Sequence, residues 1–244
     1  MKMSKTRLYV EKKLSPNMLV YIKDKQHHFL KNVLRIKIQD TITIFDGISG
    51  EWLSKVISIN RDNIVLQNLK KIRDLESETD LWLIFAPIKL FRMNIIIQKA
   101  TELGVSRFIP CITQNTNQTK INIRNLNMNI IEAAEQSERL TLPLLEKTIK
   151  LDILLENFPK DRAIIFCDES GKDLPSINKI LPNYKNEYKK WAVLIGPEGG
   201  FTDIEVNKII SAPSSIPISL GRRILRSDTA TTAAIFSVQS IIED

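Results

Sequence analysis

Val193-Leu194-Ile195-Gly196-Pro197-Glu198-Gly199-Gly200 is the stretch on which the reading of the fold turns. Three strand-favouring apolar residues run into a glycine-bearing turn, and Thr202-Asp203-Ile204-Glu205 follows with the spacing of a capping box. The pattern is strand, tight turn, helix. Glycine at such a junction lets a ligand approach the backbone, and a helix N-terminus offers N–H donors without intrahelical partners. A turn that merely joins a strand to a helix has the same sequence, so both readings stand at this point. If a ligand binds, the turn restricts it. There is no Gly-Lys-Ser/Thr ending and no G-x-G-x-x-G spacing, and Glu198 stands among the donors where a phosphate would lie. A carboxylate there repels phosphate but tolerates an adenosine-type ligand that carries positive charge.

Downstream, Leu220-Gly221-Arg222-Arg223-Ile224-Leu225-Arg226-Ser227-Asp228-Thr229-Ala230 again takes a strand end through glycine into a loop and a helix. Ser227 can cap that helix, and Ala230, Ala233 and Ala234 permit close packing along it. Apolar Ile224 and Leu225 beside glycine backbone make a slot for a flat base, while Arg222, Arg223 and Arg226 can meet an anionic substrate. A basic surface loop, with Arg226 and Asp228 as a structural ion pair, is the alternative.

Around these two segments the rhythm from residue 81 onward is strand and helix in turn. Strands are expected at 81–86, 108–109, 163–167, 193–195 and 218–220, and helices at 92–103, 126–137, 204–210 and 229–242. Such alternation predicts an α/β domain with a mostly parallel sheet and a ligand beyond the carboxyl ends of its strands. Upstream the rhythm differs. Short strands are expected at 7–10, 41–45, 51–59 and 63–69, with turn chemistry at Asp46-Gly47 and 60–63, and a helix at 24–34 turns Phe29, Leu30, Val33 and Leu34 inward. This is a small β-barrel or sandwich. The polar, acidic run 73–80 separates the two, giving domains at 1–73 and 74–244.

Charge follows the same division. Residues 1–73 hold 15 Lys and Arg against 6 Asp and Glu, a net +9, and the remainder holds 20 against 22, a net −2. The basic excess is N-terminal and suggests a segment that meets a polyanion, most plausibly nucleic acid, with a solvated basic face as the bland alternative. With 43% hydrophobic residues and only 8 Gly and 10 Pro among 244, collagen-like, coiled-coil and disordered classes are excluded. No apolar run approaches the roughly 18 residues that span a bilayer, and no signal segment follows residues 1–5, so a soluble cytoplasmic protein without membrane partners is expected. Cys111 and Cys167 read as buried apolar residues, and adjacent His27 and His28 diverge, so no metal site is expected.

Taken together, residues 194–200 and 220–230 closely resemble the signature of the RsmE family, S-adenosylmethionine-dependent methyltransferases of the SPOUT superfamily that modify N3 of a uridine in 16S ribosomal RNA of the small subunit. Lys89, Gln98-Lys99-Ala100-Thr101-Glu102-Leu103-Gly104-Val105, Glu135-Gln136-Ser137 with Arg139 and Pro143, the stretch 28–35 and Phe45-Asp46-Gly47 are similar to it as well. Nearly the whole chain is covered. The resemblance implies an N-terminal PUA-like RNA-binding β-barrel, a C-terminal SPOUT domain with a mostly parallel sheet and a trefoil knot, and a homodimer. Two departures stand out: Arg222 where the family usually has Pro, and Leu90-Phe91 where it has Gly-Asp.

On that resemblance, S-adenosylmethionine is held by backbone groups of Leu194, Ile195, Gly196, Gly199, Leu220, Gly221 and Leu225, with Glu198 beside it and Ile224 as an apolar wall. Arg226 stabilises charge developing on the uracil oxygens, and Asp228 or Glu198 handles the N3 proton. Arg7, Lys31 and Arg35 bind RNA phosphates from the first domain, and Lys89 and Arg92 approach the RNA from the second. No metal is required, because the sulfonium is already an activated donor. The rival readings are a non-catalytic RNA-binding or ribosome-assembly protein, a related SPOUT enzyme acting on another RNA position, and, last, a nucleotide hydrolase, which Glu198 disfavours.

Overall fold

The computed structural model describes residues 3–168 and 174–243 and divides the chain into two compact units. The first is Met1–Ser77 with Ala134–Leu142, and the second is Glu78–Ala133 with Pro143–Asp244. A single boundary at 73/74 makes no provision for 134–142, which belongs with the first unit.

In the first unit the strands are β1 (Met3–Tyr9), β2 (Leu19–Ile22), β3 (Thr41–Phe45), β4 (Glu51–Ile59) and β5 (Ile64–Arg73). They form one sheet in the order β1-β3-β4-β5-β2, with β1 parallel to β3 and the other pairs antiparallel. Every strand sends side chains into one core: Leu8, Val20, Ile42, Val56 and Ile64 are 0–4% exposed within a single cluster. A sheet whose strands all feed one interior is curled around it, as the strand alternation requires. Helix α1 (Asp24–His28) continues as a π-helical turn, Phe29–Val33, in which the Leu34 amide donates to the Phe29 carbonyl at 3.0 Å. That wider winding corrects the expectation of an inward stripe: Leu30 is buried, while Phe29, Val33 and Leu34 are 38%, 60% and 38% exposed.

The second unit is α/β. Its strands are β6 (Leu81–Phe85), β7 (Arg107–Ile112), β8 (Leu144–Leu145), β9 (Ile149–Lys150), β10 (Arg162–Cys167), β11 (Lys190–Ile195) and β12 (Ser215–Ile218). All pair in parallel, in the order β12-β10-β11-β6-β7-β8, with β9 also on β7. The central strands are continuous apolar runs because both faces are covered. The helices are α2 (Leu90–Glu102), α3 (Ile123–Gln136, its residues from Ala134 onward counted with the first unit), α4 (Leu151–Glu156), α5 (Ile177–Ile180), α6 (Asp203–Ile210) and α7 (Ser227–Ile242). Ile84, Ile164, Phe166 and Leu194 face a core shared with α4 and α6. Residues one position along, such as Val193 and Ile195, point the other way, where α7 packs on β11 and α2 packs on α7.

The strand order sets the place of the site. After β11 the chain passes over β10 and lays β12 on its far edge, so the turns leaving β11 and β12 emerge on either side of β10. Two strand spacings separate them, roughly 10 Å. That is the width of a flat ligand with its flanking contacts.

Candidate active site

A cavity of about 410 Å³ opens at the carboxyl ends of β10, β11 and β12, within the range of roughly 300–1,000 Å³ typical of small-molecule clefts. Ile195, Gly196 and Pro197 line it from the turn after β11, and residues 220–225 line it from the turn after β12. Phe201, from the loop before α6, Val206 of α6, and Ser227 and Ala230 of α7 close it. Among the described residues its acidic group is Asp168, which follows β10.

The first turn is held on several sides. A Cβ at Gly196 would come within 2.6 Å of the Phe201 ring, which packs edge-on against Phe166 at 5.4 Å between centroids, so glycine there admits Phe201 to the wall. The Asn115 side-chain amide donates to the carbonyls of Gly199 and Gly200 at 3.1 Å each. The capping box is present: the Glu205 amide donates to Thr202 Oγ1 at 3.4 Å, and the Thr202 amide donates to Glu205 Oε2 at 3.0 Å. Glu205 is buried, and its other oxygen accepts from the Gln114 amide at 2.8 Å. In the second turn Gly221 has φ +122°, where a side chain is strained, and its backbone faces open space.

Of the residues expected at the cofactor, Ile195, Gly196, Leu220, Gly221, Ile224 and Leu225 line this cavity. Three others do not. Leu194 points into the core behind β11, Gly199 lies against Asn115, and Glu198 is ion-paired with Arg92 at the start of α2. Arg226 occupies the N-cap position of α7 and is exposed, and Asp228 accepts from the Thr229 amide at 3.0 Å. Neither Arg226 nor Asp228 lines the cavity, and among the described residues no ion pair joins them. Neither Cys167 nor Asp168 is among the expected cofactor residues, although the rule that ligands sit beyond strand ends points to them from the expected strand 163–167. Cys167 is partly exposed in the cavity wall rather than fully buried, and burial pushes its thiol up; Cys111 is buried, and its thiol is pushed up to about 12 by burial and by the charges of Glu205 and Asp152.

Among the expected RNA contacts, Arg7 is committed internally. Its side chain is 8% exposed, pairs with Glu51 at 2.5 Å and donates to the carbonyls of Ala134, Glu135 and Arg139 at 3.1 Å each. It is a structural arginine that ties β1 to residues 134–142. Lys31 donates to the Asn60 carbonyl at 3.0 Å, and Arg35 is exposed with φ +52°. Lys89 is exposed at the N-cap of α2, directly before Leu90 and Phe91, the residues that depart from the family pattern.

The walls suit an S-adenosyl ligand: apolar side chains from two turns for a flat base, backbone at the glycines, and a carboxylate, Asp168, for a cation. Among the described residues no group of His, Cys, Asp and Glu could hold a metal, and no helix is long and apolar enough to cross a membrane.

A curled β-unit joined to a parallel α/β unit with its cavity at the strand ends is the make-up of an RNA methyltransferase: residues 75–239 match the RNA methyltransferase domain, and residues 22–67 match the RNA methyltransferase PUA domain. The PUA-like and SPOUT-type units expected from the sequence are both present. Ribosomal RNA small subunit methyltransferase E of Rickettsia conorii is 34% identical, with 97% of this chain and 96% of that protein covered. Its counterpart in Buchnera aphidicola from Acyrthosiphon pisum is 31% identical over 98% and 94%. The crystal structure of the Neisseria gonorrhoeae protein of that name, bound to S-adenosyl methionine, superimposes with a TM-score of 0.84 at 26% identity and 98% coverage of each chain. The chain belongs to the ribosomal RNA small subunit methyltransferase E family.

Proposed function

We propose that this protein transfers a methyl group from S-adenosylmethionine to N3 of a uridine in 16S ribosomal RNA of the small subunit, acting in the cytoplasm as a homodimer. The observation that carries the reading is the cavity in which the turns after β11 and β12 meet across β10. When bound there, the cofactor supplies a methyl group activated by its sulfonium. Ile195, Leu220, Ile224 and Leu225 exclude water and face the base, Gly196 and Gly221 let it approach the backbone, and Asp168 offsets positive charge.

N3 lies on the pairing edge of uracil, so the base must leave its stack to react. Arg226, exposed ahead of α7, stabilises charge on the uracil oxygens as N3 loses its proton, and Asp228, in the first turn of that helix, takes that proton. Glu198 is the weaker candidate for the proton, since Arg92 already engages its carboxylate. Lys31 and Arg35 of the first unit and Lys89 and Arg92 of the second bind RNA phosphates.

The test is incubation with methyl-labelled S-adenosylmethionine and small ribosomal subunits, followed by digestion and identification of the labelled nucleoside. Labelled 3-methyluridine is expected; label in another nucleoside, or none, removes the assignment.

A further inference from the structure

Lys89-Leu90-Phe91-Arg92 opens α2 in an unusual way for a helix whose core face is fully occupied. Met93, Ile96, Ile97 and Ala100 make that face, while Leu90 and Phe91 stand off it, 51% and 76% exposed. Phe91 is the most exposed aromatic residue among those described. Single exposed apolar residues are ordinary, but this one has a particular setting. A cation precedes the pair and another follows it, and the Arg92–Glu198 ion pair fastens this first turn of α2 to the same loop whose Gly196, Pro197 and Gly200 line the cavity. A second exposed apolar side chain, Ile224 at 78%, stands on the cavity wall itself.

An aromatic face in water, preceded by the exposed cation Lys89 and fastened beside a small-molecule cavity through the Arg92–Glu198 pair, has the chemistry that holds an unpaired base: stacking on the ring, with the neighbouring phosphate near Lys89. A protein partner would instead favour a wider apolar patch with fewer charges at its centre. We infer that Phe91 stacks on an unpaired nucleobase of the RNA substrate next to the reacting uridine, with Lys89 on the adjoining phosphate. Phe91 is thereby a positioning residue for the RNA strand. This inference rests on the proposed RNA methyl transfer.

The experiment uses the full chain and its F91A, F91L and F91W variants. Binding of a fluorescein-labelled oligouridylate is followed by anisotropy, methyl transfer to small subunits by label incorporation, cofactor affinity by calorimetry and assembly by sedimentation. F91A is expected to weaken oligonucleotide binding about ten-fold, within the range for loss of one base-aromatic stack. It should raise KM for the RNA and leave kcat and cofactor affinity unchanged. F91W should bind as the parent does, and F91L should resemble F91A. Binding by F91A within about two-fold of the parent overturns the inference. So does F91L equal to F91W, or an F91A effect seen only in sedimentation, which would mark a protein contact. A parent protein that binds the oligonucleotide through Phe91 but transfers no methyl group defeats the proposed activity and leaves the stacking contact standing.

Discussion

The guanidinium of Arg92 is ion-paired with the carboxylate of Glu198. Arg92 sits in the first turn of α2 and Glu198 in the turn after β11, so two residues read from the sequence as serving RNA and chemistry separately are partners. The side chains are 27% and 36% exposed, and a partly screened pair of this kind contributes roughly 0.5–1 kcal/mol. Arg92→Gln and Glu198→Gln should each lower cofactor affinity by about three- to five-fold, because each loosens the turn that supplies one wall. In calorimetry the double variant should be no weaker than the weaker single variant. Additive losses would show that the pair does not act as a unit on the turn. A fall in kcat of about a hundred-fold or more for Glu198→Gln alone would return Glu198 to the chemistry.

Two glycines of the cavity should fail for different reasons. Gly196→Ala places a methyl group 2.6 Å from the Phe201 ring, so Phe201 must leave its place against Phe166. Gly221→Ala meets no atom within 4 Å, yet its φ of +122° is strained for any side chain. Both should weaken S-adenosylmethionine binding, by about ten-fold or more, and both should lower the thermal midpoint, Gly196→Ala by disturbing the core and Gly221→Ala by backbone strain. Calorimetry reads the first effect and thermal unfolding the second on the same samples. An unchanged midpoint for Gly196→Ala would mean that the Phe201 contact is not what requires Gly196.

At the other end of the sheet, Arg162 has a 3% exposed side chain that stacks 3.6 Å above Trp82 and donates at 2.9 Å to the carbonyls of Asp80 and Trp191. It also meets the Asp80 carboxylate at 2.5 Å. Burial pushes the Asp80 carboxyl up, but the hydrogen bond and charge of Arg162 outweigh it and hold Asp80 below the ordinary carboxylate range. A carboxylate whose folded value is depressed stabilises the fold above its unfolded value, near pH 4, and loses that contribution as pH falls through the lower folded value. Arg162→Met should cost about 3 kcal/mol at neutral pH by stranding a buried carbonyl and removing the partner of Asp80. Its urea stability should also fall less steeply than the parent's below about pH 4, since there is less left to lose. An unchanged slope would deny the pair its role in acid unfolding.

Arg7 and Arg35, both basic residues of the first unit, should separate stability from RNA binding. Arg7→Ala leaves Glu51, whose side chain is 5% exposed, with Arg73 at 3.6 Å as its one ion-pair partner among the described residues, and takes a donor from three carbonyls. A loss of about 3–5 kcal/mol in denaturant unfolding is expected, with the salt dependence of RNA binding unaltered in the folded fraction. Arg35→Gly should do the reverse. Its φ of +52° suits glycine, so stability should rise by about 1 kcal/mol while the slope of log affinity against log salt falls by roughly 0.7–0.9. If Arg7→Ala changes the slope and Arg35→Gly does not, the assignment of RNA contacts is reversed.

Local chemistry was enough for much of the fold. Expected strands 41–45 and 51–59 coincide with β3 (Thr41–Phe45) and β4 (Glu51–Ile59), because alternation between turn residues is a local signal. The capping box at Thr202 and Glu205 was legible for the same reason. Strand β7 (Arg107–Ile112) runs beyond the expected 108–109 and carries Pro110 in its interior; its neighbour on one side changes from β8 at Phe108 to β9 at Cys111, and Pro110 falls in the gap. β8 and β9, two residues each, carry no period to detect.

The sequence by itself determined the two kinds of architecture and the two glycine turns, since each depends on residues within one turn or strand of one another; the phosphate-repelling place it gave Glu198 does not hold, because that carboxylate pairs with Arg92 outside the cavity lining. Tertiary structure alone decided that those turns meet across β10, that Asp168 rather than Glu198 faces the cavity, that Arg92 holds Glu198, and that Arg7 is spent on residues 134–142. These are contacts between segments far apart in the chain. Their partners are selected by strand order and burial, and no local periodicity records either.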